Sequence, residues 1–177
     1  NGYLLDMTDE IAANPVTFAN ENLDKTRHLG AETEVQLSAP KWLELSVAYT
    51  LALATFRDGT YKGNRIPAVP LHQASAEATF MLPLGVSTGV SGSYISETYA
   101  YSDRDNNQAI VPEYFLLGAF VHYQPDSIPG DLDLYFGVEN LLDLSYASFG
   151  VYSSFSGAVF YYPGEGRSWK LGGSYRY

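Results

Sequence analysis

The sequence predicts an all-β fold, namely a transmembrane antiparallel β-barrel, from three observations. Apolar and polar residues alternate along most of the 177 residues, and successive side chains of a strand point to opposite faces. The alternating segments have about the 9 to 11 residues that a tilted strand needs to cross a bilayer. Short and long connections also alternate along the chain, so that every short turn falls on one side, as in outer-membrane barrels.

The elements are predicted in order from this alternation. A stub at Gly2–Asp6 comes first, and about seven full strands follow it. In the first full strand Leu29, Val35 and Leu37 share one face, and Glu32 and Glu34 share the other. The full strands are predicted at His28–Ala39, Leu43–Leu53, His72–Leu82, Val86–Tyr99, Glu113–Gln124, Asp131–Glu139 and Ser168–Tyr177.

The connections predict the orientation. The short ones are "APK", "LPLG" and "QPDSIPG", whereas long segments follow Asp6, Phe56, Tyr101 and Asp143. Turns of such barrels are periplasmic and loops are extracellular. Tyr177 is therefore expected at the periplasmic end of its strand, where an amphipathic ring belongs in the aromatic girdle.

Composition excludes several classes of function. The chain has no cysteine, which rules out disulfides, thiolate metal sites and a Cys nucleophile, and its net charge of -10 disfavours nucleic-acid binding. No apolar run is long enough for a spanning helix. No signal segment begins the sequence, so any signal is expected to have been removed or to lie upstream. A soluble antiparallel sandwich would also alternate, but the strand lengths and one-sided loops favour the barrel.

The stub suggests the back part of a larger barrel. A closed barrel normally has an even number of strands, so that no edge is left. The first full strand, near Arg27 to Ala39, is expected to expose an unpaired row of backbone groups. Small inward residues such as Ser87, Gly89 and Ser91 would leave the interior for another element to fill. The alternative is a complete small outer-membrane barrel with a structural or adhesin role.

Four stretches carry a family resemblance. They are "HLGAETEVQL", "GNRIPAVPLHQASAEATF" with Pro67 and Pro70, "LYFGVENLLDLSY" and the final "YYPGEGRSWKLGGSYRY". Together they resemble the C-terminal part of TonB-dependent outer-membrane receptors, the transporters of ferric siderophores, cobalamin and similar scarce nutrients. The residues that match the family's motifs are Gly30, Glu32, Asn140, Leu141, Asp143, Tyr146, Arg167 and Tyr177.

The resemblance implies about the last seven to eight strands of a 22-stranded barrel in the outer membrane of a Gram-negative bacterium. The implied partners are the N-terminal barrel strands and plug domain of the same receptor, TonB acting through the plug, outer-membrane lipid and lipopolysaccharide, and a ferric siderophore or similar ligand. No cofactor is implied. The family usually ends in Phe where this chain has Tyr177, and the plug domain and TonB box are absent from this chain.

Ligand contacts are expected at the loops. The uncharged stretch Leu144–Gly164 is rich in Tyr and Phe and could line a ligand vestibule or form a hairpin that extends the barrel. Loop arginines could contact an anionic chelate, lipopolysaccharide phosphates or neighbouring carboxylates. The candidate ligand-binding residues are Arg65, Tyr101, Arg104, Tyr146, Tyr152 and Phe155.

The inward carboxylates predict no catalytic or metal site. Glu32, Glu34, Glu44, Glu77, Glu97 and Glu139 are expected to pair with Lys170, Arg176 and basic groups of a plug. The three histidines have no ligand-like spacing, and no Ser-His-carboxylate set is found. A barrel-embedded lipid enzyme is therefore a distant alternative, and no covalent chemistry is expected.

Overall fold

The computed structural model describes residues 1–14, 19–23, 25–38, 40–125 and 127–177. Ala39 and Asp126, which the sequence placed at a strand end and in a turn, lie outside this part. No helix in the described ranges has the length and apolarity to cross a membrane. The strands are β1 Gly2–Met7, β2 Ile11–Ala13, β3 Asn20–Asn22, β4 Thr26–Ser38, β5 Leu43–Phe56, β6 His72–Leu82, β7 Val86–Ile95, β8 Thr98–Tyr99, β9 Ile110–Val111, β10 Tyr114–Tyr123, β11 Asp131–Glu139, β12 Ala147–Ser153, β13 Ala158–Pro163 and β14 Ser168–Arg176.

Eight of these strands form one antiparallel sheet in the order β1-β4-β5-β6-β7-β10-β11-β14. The seven predicted full strands are all present, with bounds that differ by a few residues, and the all-β antiparallel prediction is confirmed. Each long strand pairs with the long strands that precede and follow it in the chain. Short turns connect them at one end of the sheet and long loops at the other. One such turn is the 3₁₀ segment Pro83–Gly85, in which Leu84 and Gly85 both have positive φ.

The register confirms the two predicted faces. Val35 is opposite Val47, and Val47 is opposite Ala76, so the apolar residues of adjacent strands form continuous rows. This apolar face is open to the surroundings: Val35 is 44% exposed and Leu171 is 85% exposed. Serine, glycine and glutamate occupy the opposite face. An apolar outer face opposite a polar inner face is typical of a barrel wall that contacts lipid.

The buried core lies at one end of the sheet. The buried apolar residues among those described are Ala54, Phe56, Ala100, Val111 and Val138, and they lie where β5, β8, β9 and β11 approach the long connections. We call this the loop end, and the opposite end the turn end. Because the described residues form no second layer along the length of the sheet, burial concentrates where the loops fold over it.

The structure corrects the prediction about the first full strand. β1 is not a free stub, because Gly2–Met7 pairs antiparallel with Thr26–Ala31, the half of β4 nearest the loop end. The amide of Glu32 also donates to the Asn1 carbonyl at 2.8 Å. Only the half of β4 beyond Glu32 lacks a neighbour on that side within the described ranges. The open row is therefore about half as long as the sequence suggested.

The segment Val86–Tyr99 is also corrected, because it is two strands. β7 ends at Ile95, and Ser96 exchanges hydrogen bonds with His72, with backbone N to O at 2.9 Å and His72 N to Ser96 Oγ at 3.0 Å. Beyond this point the chain changes partner, and Thr98–Tyr99 pairs with β9 instead. The change of partner creates one of three small two-stranded sheets at the loop end, β2-β3, β8-β9 and β12-β13.

Candidate functional site

Four long connections meet at the loop end of the sheet, after β1, β5, β7 and β11. Two of them are joined by Arg104, whose Nη1 lies 2.6 Å from Oε1 of Glu21. Asn14 donates to the other oxygen of Glu21 at 2.6 Å. The hydrogen bond from Asn14, and then that from Arg104, lowers the pKa of Glu21 below its usual 4.5. The carboxylate therefore fastens the β2-β3 hairpin to the loop after β8.

A second link joins the loop after β5 to the loop after β8. The Arg65 amide donates to the Asn106 side chain at 2.7 Å, and the Asn106 amide group donates back to the Arg65 carbonyl at 3.0 Å. Asn64 adds a bond to the Arg104 carbonyl at 2.8 Å. Asp103, which is 2% exposed, accepts from the amides of Asn107 and Gln108 at 3.2 and 3.1 Å. Two loops that are about 40 residues apart in the chain thus share one hydrogen-bond network.

Arg65 and Arg104, the predicted loop arginines other than Arg167, also lie over aromatic rings. The Arg65 guanidinium is 5.6 Å from the centroid of Tyr99, and that of Arg104 is 5.9 Å from the centroid of Tyr61. These distances are within the range of cation–π attraction. Arg65 also donates to the Val69 carbonyl at 3.3 Å. The two guanidinium groups are thus engaged by groups of this chain.

The β12-β13 hairpin is fixed to Tyr101 through the backbone. The Tyr101 amide donates to the Gly150 carbonyl at 2.8 Å, and the Tyr152 amide donates to the Tyr101 carbonyl at 2.9 Å. On the same side of the hairpin the Tyr161 hydroxyl reaches the Ile110 carbonyl at 3.0 Å. Gly150 is needed there, because a Cβ would lie only 2.6 Å from the buried Val111 side chain. One face of the hairpin is thus packed against β9.

The other face of the hairpin carries an exposed row of rings. Phe149 lies between Tyr101 and Tyr162, with centroid separations of 6.0 Å on both sides. Phe160 continues the same face, since it pairs with Val151, two residues after Phe149. Tyr101 is 37% exposed and Phe160 and Tyr162 are each 56% exposed. We call Tyr101, Phe149, Phe160 and Tyr162 the aromatic row.

The predicted motif at Asn140, Leu141, Asp143 and Tyr146 forms the base of this hairpin. Asn140 is 4% exposed with φ of 48°. Its side-chain amide donates to the carbonyls of Leu144 and Glu165 at 2.9 and 3.1 Å, and its oxygen accepts from the Leu144 amide at 2.9 Å. One side chain thus closes the turn out of β11 and holds the strand that returns to β14. The Leu141 amide meanwhile donates to the Leu117 carbonyl on β10 at 2.8 Å.

Asp143 and Arg167 complete the base. The Asp143 Oδ1 accepts from the Arg167 amide at 3.0 Å, and its Oδ2 lies 3.5 Å from the Arg167 guanidinium. Tyr146 packs against Tyr114 with the rings tilted by 38° and their centroids 4.5 Å apart, and the Tyr146 ring covers Gly164 so closely that a Cβ there would overlap it. We call Asn140, Asp143, Tyr146, Gly164 and Arg167 the hairpin clasp.

The predicted ligand residues fall into three groups. Arg65, Tyr101 and Arg104 are brought together by the loop network, and Tyr152 joins them through its backbone bond to Tyr101. Tyr146 belongs to the clasp. Phe155, at the hairpin tip, is 100% exposed. Sequence reasoning missed Glu21, Asn106, Phe149 and Tyr162 as individual residues. Phe149 and Tyr162 lie in the aromatic stretch 144–164 that the sequence singled out, and Asn106 lies in the turn-forming run "DRDNNQ", whereas Glu21 had no local signal.

Gly30, a motif position on β4, has a structural role. The Tyr3 ring of β1 lies directly over it, and a Cβ would also come within 2.5 Å of the Leu51 carbonyl. The alternation therefore needs a glycine at this point of the inner face. Glu32 contributes its amide to the bond with Asn1. Tyr177 is fully exposed at the turn end.

The inner face carries the predicted carboxylates of the strands, whereas Glu97 lies beyond the end of β7, near Tyr94 of the outer face. Glu139 pairs with Lys170, as expected, and Asp133 lies 3.5 Å from His122. The inner wall is shallow and polar, with a groove of about 430 Å³ bordered by Ser46, Glu77, Ser91 and Glu139. In the described ranges no three His, Asp or Glu side chains are grouped closely enough to hold a metal ion.

Comparison with known proteins gives the family. A family model described as "TonB dependent receptor-like, beta-barrel" matches residues 1–141. The ferrichrome outer membrane transporter and phage receptor of Escherichia coli K12 is 29% identical over 165 residues, which is 88% of this chain and 22% of that protein. The chain thus spans about a fifth of the length of this relative.

Solved structures share the fold. The ferric citrate transporter FecA matches 96% of this chain and 27% of its own chain, with a TM-score of 0.79 and 23% identity. BauA, the ferric preacinetobactin receptor of Acinetobacter baumannii, matches 98% of this chain and 26% of its own, with a TM-score of 0.76 and 17% identity. With its antiparallel sheet, lipid-type outer face and one-sided loops, the chain belongs to the TonB-dependent receptor β-barrel family of the Gram-negative outer membrane.

Proposed function

We propose that this chain forms the C-terminal wall and part of the ligand-binding mouth of a receptor that imports a ferric siderophore or a similar scarce nutrient. In this proposal further strands close the barrel, a plug domain fills it, and TonB supplies energy through the plug. The names of the relatives support a ferric ligand, because they are transporters or receptors of ferrichrome, ferric citrate and ferric preacinetobactin.

The observation that carries the proposal is an aromatic row held on braced loops. Exposed rings that stack on a ligand also shield it from water. Binding costs less when the contact surface is ordered beforehand. The Glu21–Arg104 pair, the Arg65–Asn106 exchange and the hairpin clasp provide this order. The row thus has the rigidity and chemistry of a recognition surface.

The charges of the loops favour aromatic and apolar contacts from this part of the mouth. Arg104 is paired with Glu21, and Arg167 with Asp143, so their charges are already balanced by carboxylates of the chain. The sequence left three kinds of partner open for the loop arginines: an anionic chelate, lipopolysaccharide phosphates or neighbouring carboxylates. In this chain Arg104 and Arg167 each lie beside a carboxylate. The contribution of this chain would be to the organic backbone of a chelate.

The form of the sheet supports the need for further strands. β1 and β14 stand at opposite ends of the strand order, whereas a complete small barrel would pair them. The inner face also offers small side chains such as Ser75, Ser91 and Gly118 along its groove, which leaves room for a plug. A structural or adhesin barrel is therefore the weaker candidate.

The test uses the intact receptor that contains this chain, expressed in iron-limited cells without other ferric uptake systems. Uptake of radioactive iron is measured with ferrichrome, ferric citrate and a ferric catecholate, with and without TonB. We expect TonB-dependent uptake of at least one. The variant Tyr162→Ala should weaken binding of that chelate about tenfold, as for a central aromatic contact, while Phe136→Ala on the lipid face should not. TonB-independent uptake would contradict the transport mechanism, and no uptake of any of the three chelates would contradict the ferric ligand.

A further inference from the structure

Three arginines of the loop end are engaged by groups of this chain. Arg104 is paired with Glu21 at 2.6 Å, and Arg167 lies 3.5 Å from the Asp143 carboxylate. The Arg65 guanidinium lies over an aromatic ring and donates to a backbone carbonyl at 3.3 Å. An anion that binds these groups would first have to displace the partners that they already have, which costs binding free energy. They therefore attract an anionic ligand less strongly than unpaired cations would.

Two further cations, Lys25 and Arg57, belong to the outer face of the sheet. Thr26 and Phe56 are paired across β4 and β5 and are buried on the inner side, so their chain neighbours point outward. Arg57 accordingly lies near Asp6, which is on the outer face of β1. These two cations therefore point toward the lipid side and not into the mouth.

Carboxylates outnumber lysines and arginines in the described parts of the four long connections. Asp9, Asp58 and Asp105 are exposed there, and none of them forms an ion pair with another described residue. Lys62, the remaining cation of these connections, shares its turn with Asp58. Asp105 lies in the loop after β8, as does Tyr101 of the aromatic row. The exposed charge of these loops is therefore predominantly negative.

We propose that this part of the mouth selects ferric chelates by their charge and favours an uncharged trihydroxamate over a polyanionic tris-catecholate or citrate. Three hydroxamates balance the charge of Fe³⁺, whereas three catecholates leave an excess of three negative charges. The aromatic row can contact an uncharged chelate at no electrostatic cost, while the exposed aspartates repel an anionic one. This inference rests on the proposed function, because it specifies the class of chelate that the same mouth binds.

The repulsion acts at short range. Salt screens charges over about 8 Å at physiological ionic strength, so the carboxylates affect a chelate that is bound and not one in solution. Two carboxylates about 10 Å from a triply charged chelate in water weaken its binding by about fivefold. The same carboxylates leave the affinity of an uncharged chelate unchanged.

The test measures the affinity of ferric chelates for the intact receptor in detergent at physiological salt. The probes are ferrichrome, ferric citrate, a ferric tris-catecholate and a ferrichrome derivative with three added carboxylates, which differs from ferrichrome mainly in charge. The variant combines Asp58→Asn with Asp105→Asn, and asparagine keeps the oxygen that accepts from the Gly59 amide at 2.9 Å. The matched control combines Glu44→Gln with Asp131→Asn, which removes the same charge at exposed positions of the turn end.

We expect the unchanged receptor to bind ferrichrome more tightly than the anionic probes. The aspartate variant should bind the carboxylate derivative about fivefold more tightly and ferrichrome with the same affinity, while the control should alter neither. Tighter binding of the tris-catecholate or of citrate than of ferrichrome would overturn the proposal. An equal ratio of the two ferrichrome affinities in the variant and the control would also overturn it. Binding of none of the probes would contradict the proposed function itself.

Discussion

The substitution Asn140→Ala tests whether the hairpin clasp orders the loop. The side chain makes three hydrogen bonds, to the Leu144 carbonyl and amide and to the Glu165 carbonyl. Each is worth about 1 kcal/mol, and more where a buried backbone group is left unpaired. Alanine at φ of 48° adds about 1 kcal/mol of left-handed strain. We therefore expect the closed base of the hairpin to lose about 4 kcal/mol.

The measurement is hydrogen exchange on the receptor in lipid nanodiscs. The Leu144 amide is bonded to the side chain of Asn140 itself. The Gly164 amide, which donates to the Tyr146 carbonyl at 2.8 Å, reports on the hairpin base. Both should exchange about a thousandfold faster in the variant, which is what about 4 kcal/mol corresponds to, while amides in the middle of β5 should not change.

The variant Asn140→Gly is the matched control for strain. Glycine adopts positive φ without cost. The glycine variant therefore lacks the three hydrogen bonds but has no backbone strain, and it should be destabilised by about 1 kcal/mol less than the alanine variant. The reasoning is refuted if Leu144 and Gly164 stay protected in the alanine variant. It is also refuted if protection falls equally throughout β5, because the effect would then be global.

Three further outcomes are expected. Gly30→Ala, which would overlap the Tyr3 ring and the Leu51 carbonyl, should destabilise the receptor by about 2 kcal/mol in urea unfolding, whereas Gly172→Ala, with nothing within 4 Å, should not; equal midpoints would contradict the packing. Glu21, whose pKa is lowered by Asn14 and Arg104, should stabilise its loop above pH 4.5 and lose this effect as the pH falls through the folded-state pKa. Hydrogen exchange of the β2-β3 hairpin should therefore rise in acid, and a Glu21→Gln variant that keeps the same pH response would disprove this. Val35→Arg on the lipid face should cost about 2 to 4 kcal/mol of folding free energy in lipid, and Ser46→Arg on the inner face much less; equal costs would contradict the assigned faces.

The clasp gives a physical reason for the motif at residues 140–146. The hairpin packs against β9 on one face only, so its base is held by its own polar groups. Asn140 and Asp143 both have positive φ, which Asn and Asp tolerate better than most residues. A sequence pattern associated with a family is here a device that joins the ends of β11 and β14.

The alternation of the sequence was enough to predict the seven full strands, their two faces and the side on which the long loops lie. Each strand must alternate because its side chains alternate, and a shift of one residue would turn every apolar side chain inward. Leu43–Phe56 and His72–Leu82 could therefore be placed to within a few residues. The motif at Asn140 could also be found, because its residues are close together in the chain.

The contacts between the loops, and the partner of the first strand, could not be predicted from the sequence. Arg104 meets Glu21 across 83 positions and Arg65 meets Asn106 across 41, and no local period connects such residues. The pairing of β1 with β4 was not predicted, because a segment of six residues contains no pattern that identifies its partner strand. The row of Tyr101, Phe149 and Tyr162 likewise depends on two loops that fold against each other. Local alternation is set by backbone geometry, whereas these contacts are set by which surfaces remain to be covered once the sheet has formed.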